Sequence, residues 1–120
     1  MNGKDNFVYL NHILDSINAI EEFSKNITKE ELASNRLKRS AIIREIEVIG
    51  EAVKNISSIL QKKYPKVGWK NISGTRDKMI HHYFGVDLNI VWDIIKVDLP
   101  VLRKQVDLIL KEEFPRVKTN

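Results

Sequence analysis

The amino-acid sequence predicts an all-α fold, specifically an antiparallel four-helix bundle. Apolar residues recur at spacings of three and four through most of the 120 residues, which is the period of an amphipathic helix. Only three prolines and five glycines are present, and no segment shows the alternation of a strand. Short polar stretches separate the predicted helices, and short connections are typical of helices that pack antiparallel in a bundle.

The first helix is predicted from about Asp5 to Lys25, with Asp5 as its N-cap. Its core stripe consists of Phe7, Leu10, Ile13, Leu14, Ile17, Ile20 and Phe23. Thr28 stands three residues before Glu31, which is the spacing of a capping box. The segment after Thr28 is therefore predicted to begin a short helical turn or the approach to the next long helix.

The second long helix is predicted from about Asn35 to Lys63. It ends at Tyr64-Pro65, because proline disfavours a helical backbone in the residue before it. Gly50 costs this helix roughly 1 kcal/mol relative to alanine, which indicates the close approach of another backbone. The predicted buried positions are Leu37, Ile42, Ile43, Ile46, Ile49, Ala52, Val53, Ile56, Ile59 and Leu60.

Two further helices complete the predicted bundle. Trp69 anchors the third, which is predicted to run to about Phe84. Asp87 is predicted to cap the fourth. Pro100 lies inside that last helix, where it removes a hydrogen bond and crowds the preceding turn, so a kink or break is predicted near Asp98. The core face of the fourth helix consists of Leu88, Val91, Trp92, Ile95, Leu99, Leu102, Val106, Ile109 and Leu110.

Length and composition predict one domain over residues 1–120 in the cytoplasm. A chain of this size suits a single hydrophobic core. It contains no cysteine, which excludes disulfides and thiolate metal sites. The N-terminus lacks the apolar region of a signal peptide, and no segment approaches the roughly 20 apolar residues of a membrane span. The net charge of +4 suits an anionic partner, although acidic residues are interleaved with the basic ones.

The segment 74–83 concentrates the side chains that are suited to chemistry. Arg76 offers a fork of donors and a permanent charge for a phosphate. His81 titrates near neutral pH, so it can take a proton from a ribose 2′-hydroxyl or give one to a leaving oxygen. We predict that Arg76 and His81 are the catalytic residues of a ribonuclease site. The sequence contains no metal-ligand motif, and neither a metal nor a cofactor is predicted.

The neighbours of this pair have two readings each. Asp77 is either an ordinary surface acid or a partner that orients Arg76 or an imidazole. His82 is either a supporting residue or a packed or exposed one. Tyr83 is either a core aromatic with its hydroxyl at the surface, which its spacing alone favours, or a functional residue.

Helix geometry places a condition on the predicted site. On an unbroken helix, Arg76 and His81 would be separated by about 140° of rotation and about 7.5 Å of rise, so they would not share a face. The site therefore requires a distorted helix, the reach of long side chains, or a second subunit. The last two are favoured, because a small bundle gains a concave cleft most simply by pairing with itself. A homodimer is predicted.

Arg76, His81 and Tyr83 match the motif RX4HXY, and on this basis the chain resembles the HepT-like toxins of the HEPN superfamily. The similarity covers residues 46–110 well and the first helix more loosely. Outside the motif, the resemblance rests on Ile49-Gly50-Glu51-Ala52, Tyr64-Pro65, Trp69 and Val91-Trp92.

The resemblance implies a homodimeric helical toxin whose paired motifs line one cleft, with Arg76 and His81 cleaving RNA without a metal. It also implies a partner, a minimal nucleotidyltransferase antitoxin that transfers AMP from ATP onto Tyr83. The added phosphate would bring negative charge into the cleft that an RNA phosphate must enter. Asp77 fits the polar position that follows the motif arginine, and His82 occupies the variable position.

Two classes of function fit these observations. The first is a metal-independent endoribonuclease toxin that AMP transfer neutralises. The alternative is a non-catalytic dimeric bundle that binds a nucleotide or a nucleotidyltransferase and acts as its regulator. Sequence-specific DNA binding ranks third, because no basic recognition helix or helix-turn-helix pattern stands out.

Overall fold

The computed structural model describes residues 3–82 and 85–116, with only the backbone described for residues 3, 4, 80–82, 85 and 86. The helices, in chain order, are α1 Gly3–Phe23, α2 Lys29–Ser34, α3 Arg36–Asn55, α4 Ser58–Lys63, α5 Trp69–Ser73, α6 Thr75–Met79, α7 Leu88–Asp93 and α8 Leu99–Glu113. A π-helical turn, Ile94–Asp98, joins the last two. Between α6 and α7 lie the short strands β1 Ile80–His82 and β2 Gly85–Val86.

The hydrophobic core forms where α1 packs against α3 and α8. Burial of each such side chain contributes roughly 1.5–3 kcal/mol, so this three-helix contact provides much of the driving force for folding. The most deeply buried side chains of these helices are Leu10, Ile13, Ile17, Ile20, Ile42, Val53, Val106, Ile109 and Leu110. The predicted all-α class is confirmed, whereas the arrangement as a four-helix bundle stays a prediction.

The first two helices begin differently from one another. Helix α1 starts at Gly3, so the prediction that Asp5 is its N-cap is wrong, and Asp5 lies in the first turn. An acid there is favourable, because the helix dipole is positive at that end. The predicted cap at Thr28 is confirmed, since its Oγ1 accepts a hydrogen bond of 3.0 Å from the backbone N–H of Glu31.

The second long helix is shorter than predicted, because α3 ends at Asn55 and α4 begins at Ser58. The buried side chain of Asn6 on α1 holds this break. Its Nδ2 donates to Ser57 Oγ at 3.0 Å, and its Oδ1 accepts from the Ser57 N–H at 2.9 Å. Ser57 Oγ in turn accepts from the N–H of Leu60 at 3.2 Å and caps α4. A contact with α1 therefore ends α3.

Two residues assigned to the core stripe are exposed instead. Leu37 is 82% exposed and Ile59 is 79% exposed. Ile59 follows the break at Ser57, so the helical phase of α3 does not extend to it. Leu37 lies in the first turn of α3, ahead of the first buried residue of that helix, Ile42.

The predicted close approach at Gly50 is confirmed. A Cβ atom built on Gly50 would lie 3.4 Å from the carbonyl oxygen of Ile72 and 3.7 Å from that of Ser73. Helix α5 therefore rests directly on α3. The buried indole of Trp69 fixes the start of α5, because its Nε1 donates to the carbonyl oxygens of Gln61 at 3.2 Å and Tyr64 at 3.0 Å.

The third helix does not continue towards Phe84 as predicted. Gly74 separates α5 from α6, and α6 ends at the fully buried Met79. The chain then forms β1, which pairs antiparallel with β2. The N–H of Asp87 donates to the carbonyl oxygen of Met79 at 2.7 Å and closes this hairpin. Phe84 itself lies outside the described residues.

The last helical stretch begins as predicted. Asp87 caps α7, because its Oδ1 accepts from the N–H groups of Asn89 at 3.0 Å and Ile90 at 3.3 Å. A π-helical turn then precedes α8, which has Pro100 in its first turn. The kink or break near Asp98 stays a prediction.

Within the described ranges, no helix is both long and apolar enough to cross a membrane.

Candidate active site around helix α6

The predicted site residues fall on two different elements. Arg76 and Asp77 lie on α6, and His81 and His82 lie on β1. Because the helix ends between the arginine and the histidines, the rotation expected for an unbroken helix does not apply to them. The side chains of His81 and His82, and all of Tyr83, lie outside the described residues, so the roles assigned to them stay predictions.

Helix α6 is anchored at its start by a hydroxyl group. Thr75 Oγ1 donates to the carbonyl oxygen of Ile72, with an O–O distance of 2.6 Å. A Cβ atom built on Gly74 would lie 3.3 Å from the carbonyl oxygen of Lys70, so the turn between α5 and α6 is tight. Because α5 rests on α3 at Gly50, these contacts also hold α6 close to α3.

Arg76 is paired with a carboxylate of α3. Its Nε donates to Oε2 of Glu47 at 3.0 Å. The side chain of Arg76 is 67% exposed, whereas that of Glu47 is 32% exposed. Within the part of the chain that the structure describes, this contact engages only Nε, and the two terminal nitrogens of the guanidinium have no protein partner. Glu47 therefore orients the guanidinium through its Nε atom, and the terminal nitrogens remain available as donors on the solvent side.

A small cavity of about 230 Å³ lies beside this ion pair, between α3 and the α5–α6 segment. Glu47 and Glu51 line its α3 wall, and Arg76 and Ser73 line the other side. Lys54 pairs with Glu51 at 3.3 Å. Because Glu47 already occupies the Nε side of Arg76, we expect an anionic ligand to meet Arg76 from the side that faces away from α3.

Glu47 is the residue that sequence reasoning missed. The sequence allows Asp77 as a partner that orients Arg76, but within the described residues the carboxylate in contact with Arg76 is that of Glu47. Glu47, Gly50 and Glu51 share one face of α3, because residues three and four apart are neighbours on a helix. Gly50 marked this face as the one that another segment approaches, and that signal could have identified Glu47.

Asp77 is exposed in the short helix α6. Within the described residues it forms no ion pair, and its supporting role stays a prediction. No cluster of three or more metal-binding side chains exists within these residues either. The described part of the site is thus a fixed, solvent-facing guanidinium that is suited to binding a phosphate oxygen.

Comparisons with known proteins identify the family of this chain. The family model described as "Ribonuclease HepT-like" matches residues 13–109. "Putative RNase MJ1380" of Methanocaldococcus jannaschii is 39% identical over 109 residues, which cover 91% of this chain and 100% of that protein. "Probable ribonuclease HepT" of Thermococcus cleftensis is 38% identical over 103 residues, which cover 86% of this chain and 94% of that protein.

A longer relative also matches. "Gamma-glutamylcyclotransferase and putative RNase MJ0434" of Methanocaldococcus jannaschii is 42% identical over 117 residues, which cover 98% of this chain. The chain spans about half, 52%, of the length of that relative. No solved structure was found to match. Because the family model and these relatives match most of its length, the chain belongs to the ribonuclease HepT-like family.

Proposed function

We propose that this protein is a metal-independent endoribonuclease whose catalytic residues are Arg76 and His81. The observation that carries the proposal is the placement of Arg76. Its guanidinium is oriented by Glu47 through a 3.0 Å hydrogen bond and faces solvent, on a helix that leads directly into the strand that contains His81. Membership of the ribonuclease HepT-like family supports RNA as the substrate.

The proposed reaction is an attack by a ribose 2′-oxygen on the adjacent phosphorus. His81 accepts the 2′-hydroxyl proton or donates a proton to the 5′-oxygen that leaves. The products are an RNA end with a 2′,3′-cyclic phosphate and an RNA end with a 5′-hydroxyl. Arg76 stabilises the negative charge that develops on the phosphate oxygens, which is the kind of contribution that a fixed donor makes best in the transition state.

Cleavage of single-stranded RNA by purified protein in excess EDTA tests this proposal. We expect wild type to cleave, and Arg76→Ala and His81→Ala to lose cleavage while their circular dichroism spectra stay unchanged. Arg36→Ala is a matched control, because Arg36 is an exposed arginine at the start of α3. Failure of wild type to cleave any RNA, combined with tight binding to a nucleotidyltransferase, would favour the regulatory alternative instead.

We also propose that the protein acts as a homodimer in which the two copies of the motif share one cleft. The exposure of Arg76 on a short surface helix supports this arrangement, because a second copy would enclose the guanidinium. Mixing Arg76→Ala with His81→Ala protein tests it. If one copy supplies the arginine and the other the histidine, mixed dimers contain one intact site and recover part of the activity. No recovery in mixed dimers would place both groups in one copy.

The toxin–antitoxin part of the proposal concerns Tyr83. A minimal nucleotidyltransferase is proposed to transfer AMP from ATP onto this phenol and so to block the cleft. The support is the match to RX4HXY together with the family assignment. Incubation with a minimal nucleotidyltransferase and ATP is expected to add AMP mass to wild type. Equal addition to Tyr83→Phe would exclude Tyr83 as the acceptor.

A further inference from the structure

A second hollow lies on the α4–α5 side of α6. Its volume is about 770 Å³, and it is lined by residues of α4, α5 and α6 together with the loop before α5. Three exposed lysines line it, namely Lys62 on α4, Lys70 on α5 and Lys78 on α6. We refer to this hollow, defined by Lys62, Lys70 and Lys78, as the basic groove.

The charge of the basic groove is not neutralised by the protein. No aspartate or glutamate is among its lining residues. Across residues 3–82 and 85–116, none of the ion pairs uses Lys62, Lys70 or Lys78. The Nζ of Lys78 donates to the side-chain oxygen of Asn71 at 2.6 Å. Because that oxygen is uncharged, it positions the ammonium group and leaves its full charge for a ligand.

Two of the uncharged side chains that line the groove, Trp69 and Gln61, are already engaged in the fold. Trp69 is buried, and its Nε1 donates to two backbone carbonyl oxygens. The side-chain amide of Gln61 donates to the carbonyl oxygens of Val53 and Ile56, each at 3.2 Å. The groove therefore offers no exposed aromatic ring on which a base could stack, and no exposed aromatic anchor of the kind that dominates protein interfaces.

The basic groove also adjoins the proposed catalytic residues. Lys78 is two residues after Arg76 on the same short helix, α6. Two residues correspond to about 200° of helix rotation, so the two cations point to opposite sides of α6. A strand that crosses α6 with one phosphate at Arg76 would bring its neighbouring phosphates to Lys78 and then into the groove.

We propose that the basic groove binds the sugar–phosphate backbone of the RNA on one side of the scissile phosphodiester. This inference rests on the proposed ribonuclease function and adds the path of the substrate to it. Lysine ammonium groups act as mobile point charges, and contacts with phosphates bind RNA without reading its sequence. The groove is therefore expected to accept RNA of any base composition, and selectivity must arise at the cleavage site itself.

Binding in the absence of cleavage tests this proposal. The protein is Arg76→Ala, and the probe is a fluorescently labelled single-stranded RNA whose anisotropy is measured at several salt concentrations. Adding Lys62→Ala and Lys70→Ala is expected to weaken binding. It should also reduce the slope of log K against log salt by about 1.4, because each lost phosphate contact on a single strand contributes about 0.7. Labelled poly(A) and poly(U) are expected to show the same reduction.

A matched variant controls for the loss of net charge. Lys25→Ala combined with Lys29→Ala removes two exposed lysines near the start of α2, and it is expected to change the slope much less. Circular dichroism checks that each variant is folded. Equal losses in the two pairs, or an unchanged slope in the Lys62 and Lys70 variant, would overturn the proposal. An unchanged RNA slope with weakened binding of an acidic protein partner would reassign the groove to that partner.

The outcomes also separate this inference from the proposed function. If wild type cleaves RNA but the groove variant binds RNA as tightly as its parent, the groove proposal fails alone. If wild type does not cleave RNA and the groove variant still shows the reduced slope, the nuclease proposal fails while the groove remains an RNA-binding surface.

Discussion

The Lys63–Glu113 and Arg76–Glu47 ion pairs each connect helices that are distant in the chain, but their surroundings differ. Oε2 of Glu113 accepts from Lys63 Nζ and from the hydroxyl of Tyr64, both at 2.7 Å. The side chain of Glu113 is only 19% exposed. The hydrogen bonds from Lys63 and then Tyr64 hold the pKa of Glu113 below its ordinary value. This carboxylate joins the end of α4 to the end of α8.

The pair at Glu47 differs in its carboxylate, because Glu47 is 32% exposed and, within the described residues, accepts a side-chain hydrogen bond from Arg76 alone. Exposed ion pairs contribute only about 0–1 kcal/mol to stability. The Arg76–Glu47 contact is therefore of little value for stability and of more value for fixing the direction of the guanidinium. An ion pair between distant helices thus stabilises the fold in one case and orients a proposed catalytic group in the other.

The largest effect that separates the two pairs is expected from Arg76→Lys. Lysine keeps the charge but lacks the planar fork of donors. We expect kcat for RNA cleavage to fall by about 10²–10³-fold, the loss typical of removing one transition-state donor. The thermal midpoint should stay within about 2 °C of wild type, because the ion pair is exposed.

Lys63→Gln is the matched control at the other ion pair. It removes one of the two donors to Glu113, so the midpoint should fall while cleavage persists. Equal rates for Arg76→Lys and wild type would show that charge alone suffices at position 76. A large drop in midpoint for Arg76→Lys would assign Arg76 a structural role and remove the contrast between the pairs.

A smaller effect is expected from Gly50→Val, which acts on the support of Arg76. The valine methyl groups would extend beyond a Cβ that already lies 3.4 Å from the Ile72 carbonyl oxygen. Overpacking of this kind costs about 1–3 kcal/mol. Urea unfolding is expected to show this loss. Cleavage should fall as well, because α5 carries α6 and Arg76 with it.

Gly50→Ala is the control for that change. Its single methyl group fits at 3.4 Å with little adjustment, and alanine favours the helix by roughly 1 kcal/mol. We expect the urea midpoint of Gly50→Ala to equal or exceed that of wild type. A valine variant as stable as the alanine variant would mean that α5 can move away from α3 at no cost, and the proposed support for Arg76 would be lost.

The sequence predicted the features of the fold that repeat along the chain. The buried faces of α1 and α8 were predictable, because many apolar residues at regular spacing indicate the same face of the helix. The break at Ser57 was not, since it depends on a hydrogen bond from Asn6, 51 residues away. The end of α6 at Met79 also escaped prediction, because the following apolar residues suit a helix as well as a short hairpin.

The candidate site likewise contains residues that a sequence pattern indicates and residues that only the folding of the chain brings together. The sequence indicates Arg76 as a candidate because it stands in a motif with fixed spacing. It does not indicate Glu47, because a single acid on a helix face has no periodic pattern and its partner is determined by how α5 and α6 fold back on α3. The basic groove has the same origin, since its three lysines come from three separate helices.

A third prediction measures the orienting role assigned to Glu47. Glu47→Ala should lower kcat about tenfold, equivalent to roughly 1.4 kcal/mol, because Arg76 loses its only partner within the described residues. Glu47→Gln should recover part of this loss, since an amide oxygen can still accept from Nε. Thermal midpoints should stay close to wild type in both variants.

Glu51→Gln is the matched control, because Glu51 lines the same cavity but pairs with Lys54. It is expected to change cleavage less than Glu47→Gln. If Glu51→Gln lowers the rate as much as Glu47→Ala, the cavity acts through its total charge. If glutamine at position 47 is no better than alanine, charge and not the hydrogen bond orients Arg76.

The smallest effect is expected at the structural pair and depends on pH. The pKa of Glu113 is lowered from an ordinary value of 4.5. As the pH falls, the unfolded chain therefore binds a proton at this group at a higher pH than the folded protein does. The stabilisation is therefore fully present above about pH 4.5 and is lost as the pH falls through the native pKa. Glu113→Gln should remove this component, which we expect to be about 1 kcal/mol near neutral pH.

Tyr64 should add a corresponding loss at high pH. Its partial burial raises the pKa of the phenol well above its usual value of 10.0, and the hydrogen bonds to Glu113 and Glu112 raise it further. Stability from this group is present below pH 10 and decreases as the pH rises above it. Urea unfolding of wild type and Tyr64→Phe between pH 8 and about 11 measures the difference, and identical profiles would contradict the role of the phenol.

Cleavage at neutral pH decides whether the two ion pairs are independent. Neither Glu113→Gln nor Tyr64→Phe changes a residue that lines the cavity at Arg76 or the basic groove, so both should retain the wild-type rate while their unfolding midpoints fall. Glu112→Gln, which replaces the more exposed of the two carboxylates beside the Tyr64 hydroxyl with a neutral amide, should retain the acid-dependent loss that Glu113→Gln abolishes. A reduced rate in Glu113→Gln would mean that the end of α8 transmits strain to α6, and the two pairs would then form one coupled unit.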